Sequence, residues 1–234
     1  MQERGLRGTS QLLSDYDRTA KSYDRVRFGS SGGRYTDYLE KRLIVRTLKK
    51  CSVLEVGTAS GRFAVFLSRL GFDYTGFDLS RKMLGLASEK AIVEGRKLSL
   101  IQMDVQQMCL KSHFDNVLCV RTFHFIPKPL SALANMRNAL VTGGRCLVTF
   151  ETDNILRRLL LSMGLGKSEQ RYYRVADVED MLRRVGFRIL ETGAVLRVPI
   201  TLMRRCPDKL LWILKYLNLI WPWPVQEYIL AETA

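Results

Sequence analysis

The chain has 234 residues, 47% of them apolar and 26% charged, with a formal net charge of +14. That apolar share excludes an intrinsically disordered chain, and the length suits one large domain or one domain with a lid. The charge predicts attraction to an anion, whether nucleic acid, lipid surface or acidic substrate, without choosing among them. The opening MQERGLRGTSQ is charged and lacks an apolar core, so no secretory signal is expected. The longest apolar run, residues 210–224, is broken by Lys215, Asn218 and two prolines and is too short to span a bilayer. Cys51, Cys109, Cys119, Cys146 and Cys206 form no CxxC pair, which predicts reduced thiols in a cytoplasmic compartment and no metal site.

Residues 9–48 read as helices. Ser14, Asp15, Tyr16 and Asp17 offer N-cap chemistry, and after a loop at Gly29 to Gly33 the stretch Arg34 to Leu48 has helical apolar spacing. The pair Tyr16-Asp17 recurs as Tyr23-Asp24, a spacing that puts both tyrosines on one helix face. Next, Val53 to Phe66 (VLEVGTASGRFAVF) reads as a buried strand, a glycine-punctuated turn and a helix. Gly57 and Gly61 are the points where such a turn needs positive φ or a bare backbone against a ligand. Glu55 enters the turn as a carboxylate, which repels phosphate and attracts an amine, unlike a dinucleotide-binding GxGxxG turn.

Strands are expected at 73–78, 98–104 and 114–120. Asp78 and Asp104 close the first two of these, so three successive strands end in or near an acid. A carboxylate at the position of Asp78 suits bidentate acceptance from a ribose diol. A loop, Arg121 to Pro129, then precedes a helix over 130–140, a Gly143-Gly144 turn and a fifth strand over 145–151. Residues 171–190 read as a late helix, a Gly-Phe turn and a sixth strand, and 225–231 as a last strand. Two segments lie between these elements: 152–170, with an apolar helix over 155–163, and 198–223, with an apolar, Trp-rich helix.

Taken together, Glu55-Val-Gly57-Thr58-Ala59-Ser-Gly61 and the strand, loop, helix, Gly-Gly, strand order at 114–151 resemble the class I S-adenosylmethionine-dependent methyltransferases. The Tyr-Asp-x-x-Ala-x-x-Tyr-Asp stretch resembles the small-molecule group related to ubiquinone and menaquinone biosynthesis. Ala59 departs from the glycine of the pattern. The resemblance implies an α/β fold: a Rossmann-like seven-stranded sheet with helices on both faces, strand seven antiparallel, and helical lid insertions. It implies a lid over residues 1–48 and a core over 49–234 with inserts at 152–170 and 198–223. It further implies S-adenosyl-L-methionine as cofactor, bound by Tyr16, Tyr23, Glu55, Gly57, Thr58, Gly61, Asp78, Leu79, Met83, Asp104, Val105 and Arg121. Asp78 is then the ribose ligand, Leu79 lies beside the adenine, and Asp104 and Val105 approach its edge.

His124 stands where related enzymes often face the methyl group, and is a candidate base or a residue that shapes the pocket. Methyl transfer from a sulfonium needs little beyond alignment, so a catalytic side chain is not required. The expected function is methylation of an apolar or amphipathic small molecule. The alternatives are RNA or protein methylation, or a scaffold that binds the cofactor without turnover. The segment at 198–223 is expected either to roof the active site or to dock on a membrane. Partners are the small-molecule substrate and, through the basic surface, an anionic membrane or RNA.

Overall fold

The computed structural model describes residues 9–49, 51–111, 113–154, 158, 162 and 171–234. Seven strands form one sheet in the order β3-β2-β1-β4-β5-β7-β6. They are β1 Ser52–Val56, β2 Asp73–Asp78, β3 Ser99–Gln102, β4 Phe114–Cys119, β5 Leu140–Glu151, β6 Phe187–Leu196 and β7 Gln226–Thr233. The first five pair in parallel, and β7 runs antiparallel to both β5 and β6. Chain order reverses at β1 and β4, which opens a crevice beyond their carboxyl ends.

The strands are apolar on both faces because both are covered, with alternate residues going to opposite layers. Leu54 and Val56 of β1, with Val117 and Cys119 of β4, join one core with helices α6 (Pro129–Ala139) and α7 (Val175–Arg184). Val53, Leu118 and Leu147 face the other, packed by α3 (Ser31–Thr47) and α4 (Arg62–Arg69). Cys119 and Cys146 are fully buried, as their apolar setting predicts. The fifth helix, α5 (Arg81–Val93), follows β2 and is N-capped by Ser80, whose Oγ accepts from the Met83 N–H at 3.1 Å.

Several local readings are corrected. Ser14 to Asp17 do not cap a helix; they lie inside α1 (Thr9–Thr19). A 3-10 turn at Ala20–Ser22 separates α1 from α2 (Tyr23–Phe28), so Tyr16 and Tyr23 stand on different helices. The expected loop ends early: Ser30 caps α3 by accepting from the Gly33 N–H at 3.1 Å. Gly32 and Gly33 therefore form its first turn, where a Cβ on Gly32 would stand 1.8 Å from the Met203 carbonyl oxygen. Such close backbone contact admits only glycine. Gly143-Gly144 is no turn between elements but lies within β5, which starts at Leu140 and pairs it with Phe114.

The segment 198–223 folds as α8 (Ile200–Arg205) and α9 (Leu211–Ile220). Met203, Leu211 and Leu214 pack with Val198, Val225 and, from α3, Tyr35 and Leu39. The helix expected at 155–163 and the loop after it fall largely outside the described residues.

Candidate active site

The turn after β1 is built on positive φ. Gly57 and Gly61 sit at φ 78° and 76°, and Ala59 at 47°. A Cβ on Gly57 would meet the Thr122 hydroxyl at 2.3 Å, and one on Gly61 would meet the Ala87 methyl at 2.6 Å. Ala59 carries its Cβ in a region that costs an L-residue about 1–2 kcal/mol. Its N–H is fixed by donating to Asp78 Oδ2 at 2.9 Å, while Oδ1 accepts from the Ser80 N–H at 2.9 Å. One carboxylate thus ties the turn after β1 to the N-terminus of α5.

Around this turn lies a cavity of about 1070 Å³, counting its open mouth. Its floor is Glu55, Gly57 and Thr58; one wall is Phe77, Asp78 and Leu79; another is Asp104, Val105 and Gln106; and Arg121, Thr122 and Phe125 come from the loop after β4. Leu12, Leu13 and Tyr16 of α1, and Tyr23 of α2, close the remaining side. The Tyr16 ring lies 6.0 Å from that of Tyr23 and 6.2 Å from Phe125, making an aromatic cover. Burial pushes the Tyr16 phenol up to about 12, so it stays neutral.

Ten of the twelve residues implied as cofactor ligands therefore meet on one cavity, namely all but Gly61 and Met83. Gly61 instead seats α4 against Ala87, and Met83 is buried in α5. His124 is not on the cavity wall either. It is buried in a 3-10 turn with its ring 4.1 Å from that of Phe125, and its carbonyl accepts from the Arg171 N–H at 3.1 Å. No residue of 198–223 lines the cavity, so among the described residues this segment does not roof it.

The Asp of each Tyr-Asp pair has a role that sequence spacing does not reveal. Asp17 accepts from the Ser80 hydroxyl. Asp24 accepts from the Ser60 hydroxyl at 2.6 Å and from Lys90, which also donates to the Ser60 carbonyl at 2.7 Å. Each tyrosine covers the cavity while its neighbouring aspartate latches the cover to the start of α5 or α4. The repeat itself was the available signal.

The three acids differ in setting. Glu55 is fully buried and accepts from the Thr58 hydroxyl at 3.0 Å and from the Tyr74 hydroxyl, and burial pushes its carboxyl up to about 7. Burial also raises Asp78, against its backbone donors. Asp104 accepts from the Gln106 N–H at 2.8 Å, capping the turn at Val105–Gln107. A carboxylate oxygen can accept twice, so each Asp78 oxygen retains a lone pair for one hydroxyl of a vicinal diol. The apolar wall of Phe77, Leu79 and Val105 suits a flat heterocycle, and the bare backbone at Gly57 admits a ligand chain close to the main chain. These features fit an adenosine-containing cofactor with an amino-acid tail.

Comparison with known proteins agrees with this geometry. Residues 54–148 match the model of a methyltransferase domain family. Over these residues the chain carries a methyltransferase domain, and it is similar to the class I S-adenosylmethionine-dependent methyltransferases. The similar proteins include S-adenosylmethionine-dependent enzymes and structures with bound SAM or SAH. The ubiquinone biosynthesis O-methyltransferase of Aeromonas salmonicida is 25% identical over 114 residues, covering 48% of this chain and 48% of that protein. The chain thus spans about half the length of the curated relatives it matches.

Among solved structures, a possible histamine N-methyltransferase of Thermotoga maritima superposes with a TM-score of 0.70 at 19% identity, covering 95% of this chain and 100% of that one. The magnesium protoporphyrin IX methyltransferase of Synechocystis PCC 6803 with bound SAH gives 0.69 at 17% identity, covering 96% and 99%. At such identities these likenesses carry the fold alone.

The buried Glu55 makes stability pH-dependent. Its folded pKa, about 7, lies above its ordinary 4.5, so between these values the folded state holds a proton that the unfolded chain has lost. This group's contribution is present below pH 4.5 and is lost as pH rises toward 7. In denaturant unfolding the native protein should lose roughly 3 kcal/mol across that window relative to Glu55→Gln, whose amide does not titrate. Parallel pH profiles for the two proteins would contradict this reading.

Proposed function

We propose that this methyltransferase moves the methyl group of S-adenosylmethionine to an amphipathic small molecule in the cytoplasm. The observation that carries the reading is the convergence of Glu55, Asp78 and Asp104 on one cavity covered by Tyr16 and Tyr23. When bound, the cofactor supplies an electrophilic methyl on a sulfonium whose departure leaves a neutral thioether. Asp78 accepts from the ribose hydroxyls, and Asp104 and Val105 face the adenine edge. Tyr16, Tyr23 and Phe125 exclude water from the methyl group, with α1 and α2 acting as a lid latched through Asp17 and Asp24. Alignment and desolvation supply the rate, without His124 as a base. All five cysteines are free, which suits a reducing compartment.

Calorimetric titration tests the site. S-Adenosylmethionine should bind in roughly the micromolar range and NAD should not, and Asp78→Ala should weaken binding by at least about tenfold. Equal affinity in the variant would remove Asp78 from the site.

A second reading concerns where the enzyme works. The outer face of α9 exposes Trp212 (67%), Tyr216 (58%), Leu219 (73%) and Ile220 (58%), with Leu210 and Trp223 at its ends. These positions recur at helical spacing, and exposed Arg205, Lys209 and Lys215 border them. No helix among the described residues is long and apolar enough to cross a membrane. An apolar face with a basic rim and aromatic side chains is the chemistry of a helix lying in the interface of an anionic bilayer. RNA binding would call for exposed cations along a groove in place of this aliphatic surface. The native protein should float with vesicles of phosphatidylglycerol and phosphatidylcholine, and Trp212→Ser with Leu219→Ser should abolish flotation. Native protein left in the pellet, with salt-sensitive retention on RNA, would overturn the membrane reading.

A further inference from the structure

Beside the cavity, positive charge gathers without matching anions. Arg121 lies on the cavity wall with φ 58°, a strained backbone for a non-glycine residue, and is held there by donating its N–H to Thr149 Oγ1 at 2.9 Å. Its guanidinium points inward. Nη1 is buried, makes no hydrogen bond and lies 3.6 Å from Glu40 Oε1. Arg204, on α8, has Nε and Nη2 buried and unbonded. Burial, and repulsion from Arg121 and Arg27, lower its guanidinium to about 10. Arg27, on α2, sits 4.9 Å over the ring of Tyr23, itself on the cavity wall.

The acid nearest this group is largely committed elsewhere. Glu40 is 99% buried and pairs with Arg62 at 2.7 Å; it also accepts from Gln226 at 3.2 Å. Arg62 is fully accommodated, with Asp37 at 2.7 Å and the Phe63 ring at 3.8 Å. Its ionic partners are thus structural. Arg121 and Arg204 share what remains of Glu40, while Arg27 is in electrostatic reach of Tyr23, Tyr16 and Glu151. Unbonded guanidinium donors in a buried setting are costly unless a ligand supplies the acceptor.

The cofactor does not balance this charge. Its ammonium and carboxylate cancel, its adenosine is neutral and its sulfonium adds one positive charge to the cavity. We infer that Arg121, on the cavity wall, with Arg27 and Arg204 behind it as reinforcing positive charge, forms the subsite for an anionic head group, a carboxylate or phosphate, on the methyl acceptor. The inference rests on the methyltransferase reading and narrows the amphipathic acceptor to one that carries an anion. Arginine suits the task because its planar fork donates two parallel hydrogen bonds to such oxygens. The same chemistry could come from the methionine carboxylate of the cofactor, and the two sources are separable.

The probes are octyl phosphate, octanoate and octanol, titrated calorimetrically at physiological salt into the full chain, with and without saturating S-adenosylmethionine. In the native protein the two anions should bind at least about tenfold more tightly than octanol. Arg204→Gln should weaken anion binding by about tenfold or more, leaving octanol and S-adenosylmethionine within about twofold, Arg204→Lys should recover part of the loss, and Arg121→Gln should weaken the anions by at least as much. Thermal melts of each variant confirm folding, and Arg204→Lys keeps the test valid should a glutamine variant unfold. Equal binding of anion and alcohol would overturn the inference. So would loss of S-adenosylmethionine affinity in the arginine variants, which would assign these groups to the cofactor's carboxylate. Failure of native protein to bind S-adenosylmethionine would remove the methyltransferase reading, while the anion preference of the unliganded cavity would still be measured.

Discussion

The candidate site depends on one hydrogen-bonded carboxylate. Asp78 accepts from the backbone of Ala59 with one oxygen and of Ser80 with the other, so the left-handed turn after β1 and the cap of α5 are fixed relative to each other. Without that anchor, three consecutive odd-numbered positions at positive φ, one of them an alanine, would have little to hold them in place. The parallel sheet delivers the parts: β1 presents the turn, β2 ends in the anchoring acid, and the reversal of chain order at β4 leaves the crevice open above them. Burial then raises the carboxyl of Glu55 to about 7 and, against its backbone donors, that of Asp78.

Electrostatics divides the cavity in two. One side carries the strand-end acids and apolar walls, a setting for a neutral heterocycle and its sugar diol. The other carries Arg62, paired with Asp37 and Glu40, and Arg121, 3.6 Å from Glu40. The helices α1 and α2 cover one side of the cavity, and their aspartates bond to Ser80, and to Ser60 and Lys90, at the starts of α5 and α4 and along α5.

Much of this was legible in the sequence because it is local. Apolar runs located all seven strands, and strand-end acids plus a glycine turn marked the pocket. The errors arose where distant contacts override local pattern. A 3-10 turn at Ala20–Ser22 breaks what spacing alone reads as one helix, yet Tyr16 and Tyr23 still meet, 6.0 Å apart, because both pack over the same cavity. Gly32 and Gly33 look like a loop but sit inside α3, where bare backbone lets Met203 approach. The apolar segment at 198–223 reads first as a roof and second as a docking helix, but it packs on α3 and none of its residues lines the cavity. His124 matched a family position, but its ring is turned into the protein beside Phe125. The guanidinium cluster was invisible, since Arg27, Arg121 and Arg204 lie far apart in the chain.

The central claim is that this cavity donates a methyl group and does not merely bind a nucleoside. Its most direct test uses S-adenosylmethionine tritiated in the methyl group, incubated with the native protein and an organic-solvent extract of host cells. The account predicts label in organic-soluble acidic material, with S-adenosylhomocysteine formed in equal amount and both products lost in Asp78→Ala. Tight cofactor binding with no label above that variant, in any fraction, would contradict it and leave a cofactor-binding scaffold.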